Sequence, residues 1–395
     1  MTTGIVTLKA GRERSILRQH PWIFSGGIGR AQDAIPGEVV TVVDAQGQFL
    51  ARGYWNPKSQ IQVRILTWDD EPIDRDWWRR QLARAIGARV GSRPIGEVTA
   101  RLVNAENDFL PGLVVDAYAG WLVFQALTLY VDKHKDMLVE LLAALCQPYG
   151  IYERSDVDVR GKEGLKDAVG VRWGAEPPDE IASTLDGVTL LVDVRTGHKT
   201  GAYLDQTRNR AVLRQLTDGM ARPLRVLNLF SFTGAFGLAV SDAQVRNVDS
   251  SLEALALGQR MAVANGRAAD DFEWVQADCF QYVRACAAAG EQFEVVILDP
   301  PKFAHSAAQV EKAARAYKDL NLHAFRVVRP GGYLLTFSCS GAVDRDLFQK
   351  IVFGALLDSG RRGQMVQWLG AGEDHPVALT FPQGEYLKGL LVRVW

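Results

Sequence analysis

Three near-continuous apolar runs fix most of what this 395-residue chain can become. They are Arg225-Val226-Leu227-Asn228-Leu229-Phe230, Val295-Val296-Ile297-Leu298 and Tyr333-Leu334-Leu335-Thr336-Phe337. Runs this short and this apolar suit strands buried on both faces, which is how a parallel sheet covered by helices is built. From about residue 186 to the end, strand and helix patterns alternate around them, so the expected fold class is α/β with a doubly wound, Rossmann-like sheet. In open α/β sheets ligands sit outside the carboxyl ends of the strands, so the residues just after each run carry the functional information.

After the first run comes Asn228-Leu229-Phe230-Ser231-Phe232-Thr233-Gly234-Ala235-Phe236-Gly237, a glycine turn feeding a helix. Such a turn brings backbone close to a ligand or serves packing alone. Its glycines lack the GxGxxG spacing that a dinucleotide pyrophosphate favours. A second strand near Gln244–Val248 ends at Asp249, an acid placed to accept both hydroxyls of a ribose; the alternative is a helix N-cap, with Ser250 and Ser251 as rival caps. A third strand over Phe272–Gln276 precedes Asp278, whose carboxylate suits the amino group of adenine. The fourth strand ends in Asp299-Pro300-Pro301-Lys302-Phe303. Two prolines hold the backbone extended and leave the Pro300 carbonyl outside any helix, facing a substrate or simply turning the chain. The fifth ends in Phe337-Ser338-Cys339-Ser340-Gly341, a thiol among small polar residues at the same edge. That is a place for a nucleophile, although free cysteines are commonly buried and inert.

The rest of the chain has a different texture. Residues 1–72 show short alternating strands (Ile5–Leu8, Gly37–Asp44, Gln48–Tyr54, Ile61–Leu66) separated by turn residues, as in a small β-barrel. Residues 76–185 mix an amphipathic helix from Trp77 to Ala88, strands near 101–103, 112–116 and 121–125, and a helix from Asp132, as its cap, to Cys146, as in an α+β domain. The third region, 186–395, holds the sheet described above. Hydrophobic residues are 47% of the chain and charged ones 23%, enough for substantial cores and against bulk disorder. No apolar run is long enough to span a bilayer, and the start lacks the build of a secretory signal, so a cytoplasmic protein with no membrane partner is expected. Cys146, Cys279, Cys286 and Cys339 have no CxxC spacing and no histidine set beside them, so no metal is expected. The formal net charge of −1 conceals a local excess: over residues 1–31, Lys9, Arg12, Arg14, Arg18 and Arg30 face Glu13 alone, a net +4.

Taken in order, the strand-end motifs resemble class I S-adenosylmethionine-dependent methyltransferases. More narrowly, the chain resembles the bacterial ribosomal RNA large-subunit cytosine-5 methyltransferases that carry an N-terminal PUA domain. Besides the motifs already quoted, His20-Pro21-Trp22-Ile23-Phe24-Ser25-Gly26, Ile151–Asp156, Gly197–Gln206, Asp374-His375-Pro376-Val377 and Glu385-Tyr386-Leu387-Lys388-Gly389 carry the likeness across nearly the whole chain. The resemblance implies S-adenosylmethionine as cofactor, cradled by the turn from Phe230 through Ser231, Thr233 and Gly234 to Gly237. Asp249 and Ser250 would serve the ribose side, Asp278 the adenine and Asp299 the reacting end. A sulfonium cofactor has no phosphates, which agrees with the missing GxGxxG.

In such an enzyme Cys339 would add to carbon 6 of cytosine, making carbon 5 nucleophilic, while Asp299 supports ring nitrogen 3 and the Pro300 carbonyl accepts from the exocyclic amine. Lys302 and Phe303 would line the substrate side; Phe232 and Phe303 could stack on the target base, with core packing or cofactor contact as the alternative for each. Arg12, Arg14 and Arg18 would grip phosphates of a single-stranded, looped or flipped-out ribosomal RNA target. The fourth-strand motif has no second cysteine, so removal of the carbon 5 proton falls to Asp299 or water. His20 reads as structural and His375 as part of a substrate loop. Rival readings are methylation at a base nitrogen, a non-catalytic RNA-binding or ribosome-assembly factor, and, more distantly, a dinucleotide dehydrogenase. Lys302, standing where nitrogen methyltransferases usually place an aromatic, and Cys339 favour carbon. The oligomeric state stays open, a homodimer included.

Overall fold

The structure, a computed structural model, describes residues 3–197 and 199–395. His198, part of one resemblance motif, lies outside the described residues. Compact packing groups the chain into one unit of 1–183, 192–204 and 374–384, and a second of 184–191, 205–373 and 385–395. No helix among the described residues is long and apolar enough to cross a membrane.

The first unit contains a six-stranded sheet made of Gly4–Leu8, Trp22–Phe24, Ile28–Gln32, Val39–Val43, Phe49–Trp55 and Ile61–Thr67. Val6, Leu8, Val40, Val42, Val63 and Ile65 give it one apolar core, with buried and half-buried or exposed positions alternating along Gly4–Leu8 but burial continuous from Val63 to Thr67. Trp22–Phe24 and Ile28–Gln32 escape a reading of alternation because one has three residues and the other a single large apolar side chain. They lie at the two edges of the sheet. A five-stranded sheet follows, backed by helix Arg75–Val90, whose cap Asp74 accepts from the Trp77 amide at 2.8 Å. Buried Arg64 of the six-stranded sheet pairs with Glu106 and Glu163 at 2.8 Å each, tying this sheet to the α+β region within one unit. Asp132 is not the cap of the helix ending at Cys146. It belongs to a short helix, Leu129–Lys133, and spends its charge on Arg160 (3.0 Å) and Lys135 (3.2 Å), while the longer helix starts afresh at Lys135.

The second unit is the expected doubly wound sheet. Its strands are β1 (Leu224–Leu229), β2 (Ala243–Asp249), β3 (Phe272–Gln276), β4 (Phe293–Leu298), β5 (Val328–Ser338), β6 (Gly363–Gly370) and β7 (Lys388–Val394). They stand in the order β3-β2-β1-β4-β5-β7-β6, parallel from β3 to β5 and antiparallel where β7 joins. Both faces are covered, by α1 (Thr207–Asp218), α2 (Ala235–Leu238), α3 (Leu252–Ala264), α4 (Cys279–Ala288), α5 (Val310–Val327) and α6 (Arg345–Asp358). Leu227, Leu229, Val296, Leu298 and Leu334 are almost fully buried, as their unbroken apolar runs require.

Beneath the turn after β1 the packing leaves no room for side chains. Asn228 donates to Asn247 across β1 and β2 at 2.8 Å, and the Trp274 ring of β3 lies alongside. A Cβ on Gly258 of α3 would come 2.5 Å from that ring and 2.7 Å from the Thr233 carbonyl. Replacing a helical glycine by alanine ordinarily stabilises by up to about 1 kcal/mol, whereas overpacking costs about 1–3 kcal/mol. Gly258→Ala is therefore expected to lower the unfolding free energy by roughly 1–2 kcal/mol in urea denaturation, the reverse of the propensity effect. A more stable variant would show that the ring yields.

Candidate active site

The carboxyl ends of β1, β2 and β3 form one side of the site. Phe230, Phe232 and Gly234 have φ of 57°, 49° and 73°, so the turn after β1 makes three left-handed steps, two without the freedom of glycine. The surroundings hold it there. The Phe232 amide donates to Asp249 Oδ2 at 2.8 Å, and the Phe230 amide to the buried Cys279 sulfur at 3.2 Å. Asp249 Oδ1 accepts from the Ser251 amide at 2.9 Å, and the cap of α3 is Ser251 itself. Two of about four lone-pair directions on Asp249 are thus spent on backbone, leaving room for hydroxyl donors. Ser231 and Thr233 are buried, and the Ser231 hydroxyl has no partner among the described residues. Ser250 and Asp278 are exposed; Asp278 caps α4, accepting from Gln281 at 2.9 Å.

The ends of β4 and β5 form the other side. Cys339 is half-buried, with its sulfur 3.9 Å from the Pro300 carbonyl. The other three thiols are buried, and burial pushes them up, to about 12 for Cys279 and about 11 for Cys146 and Cys286. They are inert by environment. Asp299 Oδ2 accepts from Gln206 Nε2 at 2.8 Å, and Gln206 Oε1 accepts from Asn209 Nδ2 at 2.5 Å, so two buried amides in series aim the carboxyl. Lys302 is exposed. Phe303 lies between the rings of Phe280 (5.8 Å) and Tyr317 (4.8 Å), a packing position on the flank of the sheet.

One hydroxyl joins the loops after β4 and β5. Ser340 Oγ accepts from the amides of Phe303 and Ala304 at 3.2 Å and bonds the Tyr317 hydroxyl at 3.0 Å, which also accepts from Ser338 Oγ at 3.0 Å.

The comparisons with known proteins fall on this geometry. Residues 6–68 match the family described as a PUA-like domain, and 165–353 the S-adenosylmethionine-dependent methyltransferases. Over 396 residues, 99% of each chain, the protein is 45% identical to ribosomal RNA large subunit methyltransferase I of Shewanella amazonensis. Over 400 residues, 100% of each, it is 45% identical to the namesake from Aeromonas hydrophila. The chain belongs to that family.

Its fold also matches a structure described as a methyltransferase complexed with SAH, at a TM-score of 0.85 and 19% identity over 98% of this chain and 99% of the other. A further match, from Streptococcus mutans, has a TM-score of 0.83 with the same coverage. The α/β class, the PUA-like domain and S-adenosylmethionine as cofactor are accordingly established for this member of the family. The residues present fit that cofactor: a buried hydroxyl without a partner on Ser231, a carboxylate with spare lone pairs on Asp249, and a turn that approaches through backbone.

Several residues of this family member escape a reading of the sequence. Gln206 is signalled only by the motif Gly197–Gln206 and Lys388 only by the motif Glu385–Gly389, neither with a role, while Asn209 and Tyr317 are signalled by nothing. Arg12, Arg14 and Arg18 are exposed on the first unit, where Arg12 adjoins Gly27 and Lys9 reaches the Gly26 carbonyl at 3.2 Å. Phe24, half-exposed, is the residue before that turn. His20 packs on Trp22 and Phe381, and His375 bonds Asp374 at 2.9 Å with its ring buried.

Tyr317 supplies the hydroxyl to which both serines of the β5 loop turn, in a fully buried place. Tyr317→Phe keeps the ring and strips that partner, so the unfolding free energy is expected to fall by about 1–2 kcal/mol in urea melts. No change would mean that the serines re-pair.

Proposed function

We propose that this protein methylates carbon 5 of a cytosine in large-subunit ribosomal RNA, through a covalent adduct between Cys339 and carbon 6. The observation that carries the reading is the half-buried sulfur at the carboxyl edge of the sheet, 3.9 Å from the carbonyl between Asp299 and Pro301. Relatives named as ribosomal RNA large subunit methyltransferase I support the RNA substrate.

In this reading Phe230, Ser231, Thr233 and Gly234 cradle S-adenosylmethionine, Asp249 and Ser250 take its ribose, Asp278 its adenine, and Asp299 lies at the reacting end. When bound, it supplies the electrophilic methyl group. Everything else is done by the chain. Cytosine carbon 5 is a poor nucleophile; addition of the Cys339 thiolate at carbon 6 turns the carbon 5–carbon 6 bond into an enamine. Asp299, aimed by Gln206, shares a proton with ring nitrogen 3 as charge develops there. The Pro300 carbonyl accepts from the exocyclic amine that marks cytosine. Asp299 or water then removes the carbon 5 proton, and the sulfur leaves. Lys302 stays on the RNA side, while Phe303 supports the loop through packing.

RNA carrying 5-fluorocytosine tests this, because fluorine at carbon 5 blocks the final elimination and leaves the adduct in place. A denaturation-resistant complex is expected with the native chain and none with Cys339→Ala. Turnover of Cys339→Ala on ordinary RNA should fall by at least about a thousandfold with cofactor binding retained. Normal turnover by that variant, or a methyl group found on a base nitrogen, would remove the proposal.

The exposed Arg12, Arg14 and Arg18, with Lys9, supply the phosphate grip, and half-exposed Phe24 a stacking face. Each phosphate contact on a single strand contributes about 0.7 to the slope of log affinity against log salt, so the triple alanine variant should flatten that slope by about 2. An unchanged slope would place the RNA elsewhere.

A further inference from the structure

Lys388 opens β7 directly opposite Ser338, the residue before Cys339. It is 1% exposed, and its ammonium donates to the Ser340 carbonyl at 2.8 Å and the Val343 carbonyl at 2.5 Å. A buried ammonium that meets carbonyls instead of a carboxylate is costly, and a methionine would fill the same slot without desolvating a charge. Anchoring a turn does not account for that cost.

Among the described residues, the charged and titratable groups that act most strongly on Lys388 are Cys339, Glu385, Asp344 and Arg345. The acids are engaged elsewhere: Glu385 pairs with Arg345 at 2.7 Å, and Asp344 caps α6 through the Leu347 amide at 2.8 Å. The Tyr317 hydroxyl also lies in the field of Cys339, but burial holds it protonated, so it brings no charge. Among the described residues, the ammonium is a cation whose charge reaches the thiol from the β7 side.

We propose that Lys388 is a positioning residue that holds the Ser338–Val343 turn and, by its charge, keeps Cys339 as a thiolate. This rests on the assignment of Cys339 as nucleophile. The thiol proton passes to solvent, the ammonium keeps its own, and the pair leaves the sulfur with the electron pair it donates to carbon 6. Burial lowers Lys388 to about 8, so the cation is present at neutral pH and is lost as pH rises through that value.

The test is alkylation of Cys339 by iodoacetamide against pH, read on its peptide by mass spectrometry, in the full chain and in the variants Lys388→Met and Lys388→Arg. In the native chain the midpoint is expected below about 8.5, the value of a free thiol. Lys388→Met should raise it by about one unit or more, reducing the thiolate fraction at neutral pH about tenfold. Lys388→Arg should keep it low, since a guanidinium does not titrate in this range. Circular dichroism and S-adenosylmethionine binding confirm that each variant is folded. An unchanged midpoint in folded Lys388→Met overturns the proposal. If that variant does not fold, a native midpoint at or above the free-thiol value overturns it alone, and a low one shared by the arginine variant sustains it. The outcome is separable from the covalent reading, because Cys339→Ala with normal turnover would end that reading while leaving the alkylation profile intact.

Discussion

The site depends on one shared hydroxyl. β4 and β5 are adjacent parallel strands, and their loops would diverge from the sheet edge independently if nothing joined them. Ser340 Oγ joins them, taking two amides from the β4 loop while sitting in the β5 loop. A hydroxyl has one hydrogen and two lone pairs, so once the amides of Phe303 and Ala304 occupy the lone pairs, its hydrogen turns to Tyr317. Three elements, the two loops and α5, are thereby fixed by a group of a few atoms. The sulfur one residue earlier inherits that precision, and so does the carbonyl it faces.

The strands were legible before any coordinates because their burial leaves no alternative. A strand covered on both faces must be apolar at every position, and β1, β4 and β5 are nearly so; β2 and β3 followed from the spacing between them. The acids at their ends, Asp249, Asp278 and Asp299, were visible for the same reason, since a charge just past an apolar run marks where the sheet stops. What stayed hidden has a physical cause as well. α1 buries Asn209, Arg210, Leu213 and Thr217, so the rule that puts apolar residues inside reads this helix on the wrong face. Lys388, which only the motif Glu385–Gly389 picks out in the sequence, breaks the same rule in a strand. Buried polar side chains are satisfied by partners distant in sequence, and hydropathy carries no record of those partners.

The turn after β1 shows the complementary case, in which backbone geometry does work that residue type only hints at. Two phenylalanines with left-handed φ are held by a carboxylate and a thiol, while glycine is required where Trp274 leaves no space. The glycines of this turn therefore answer to the sheet beneath as much as to any ligand above. The same packing explains why the turn lacks a pyrophosphate fingerprint yet remains a close backbone approach.

The amide chain from Asn209 through Gln206 to Asp299 bears on how that carboxyl works. An arginine in the place of Gln206 would orient Asp299 equally well but would hold it ionised, since an adjacent cation favours the charged form. A neutral amide adds direction without adding charge: Gln206 donates to Oδ2 whichever protonation state the other oxygen takes. Under the proposed reaction Asp299 has to give proton density to ring nitrogen 3 in one step and be available to receive a proton in a later one. An amide donor also favours the ionised carboxylate, but by less than a cation does, so it interferes less with a group that must change its protonation state within a single turnover. Two buried amides in series, the second fixed by the first, hold the carboxyl in this way, which accounts for the full burial of Asn209.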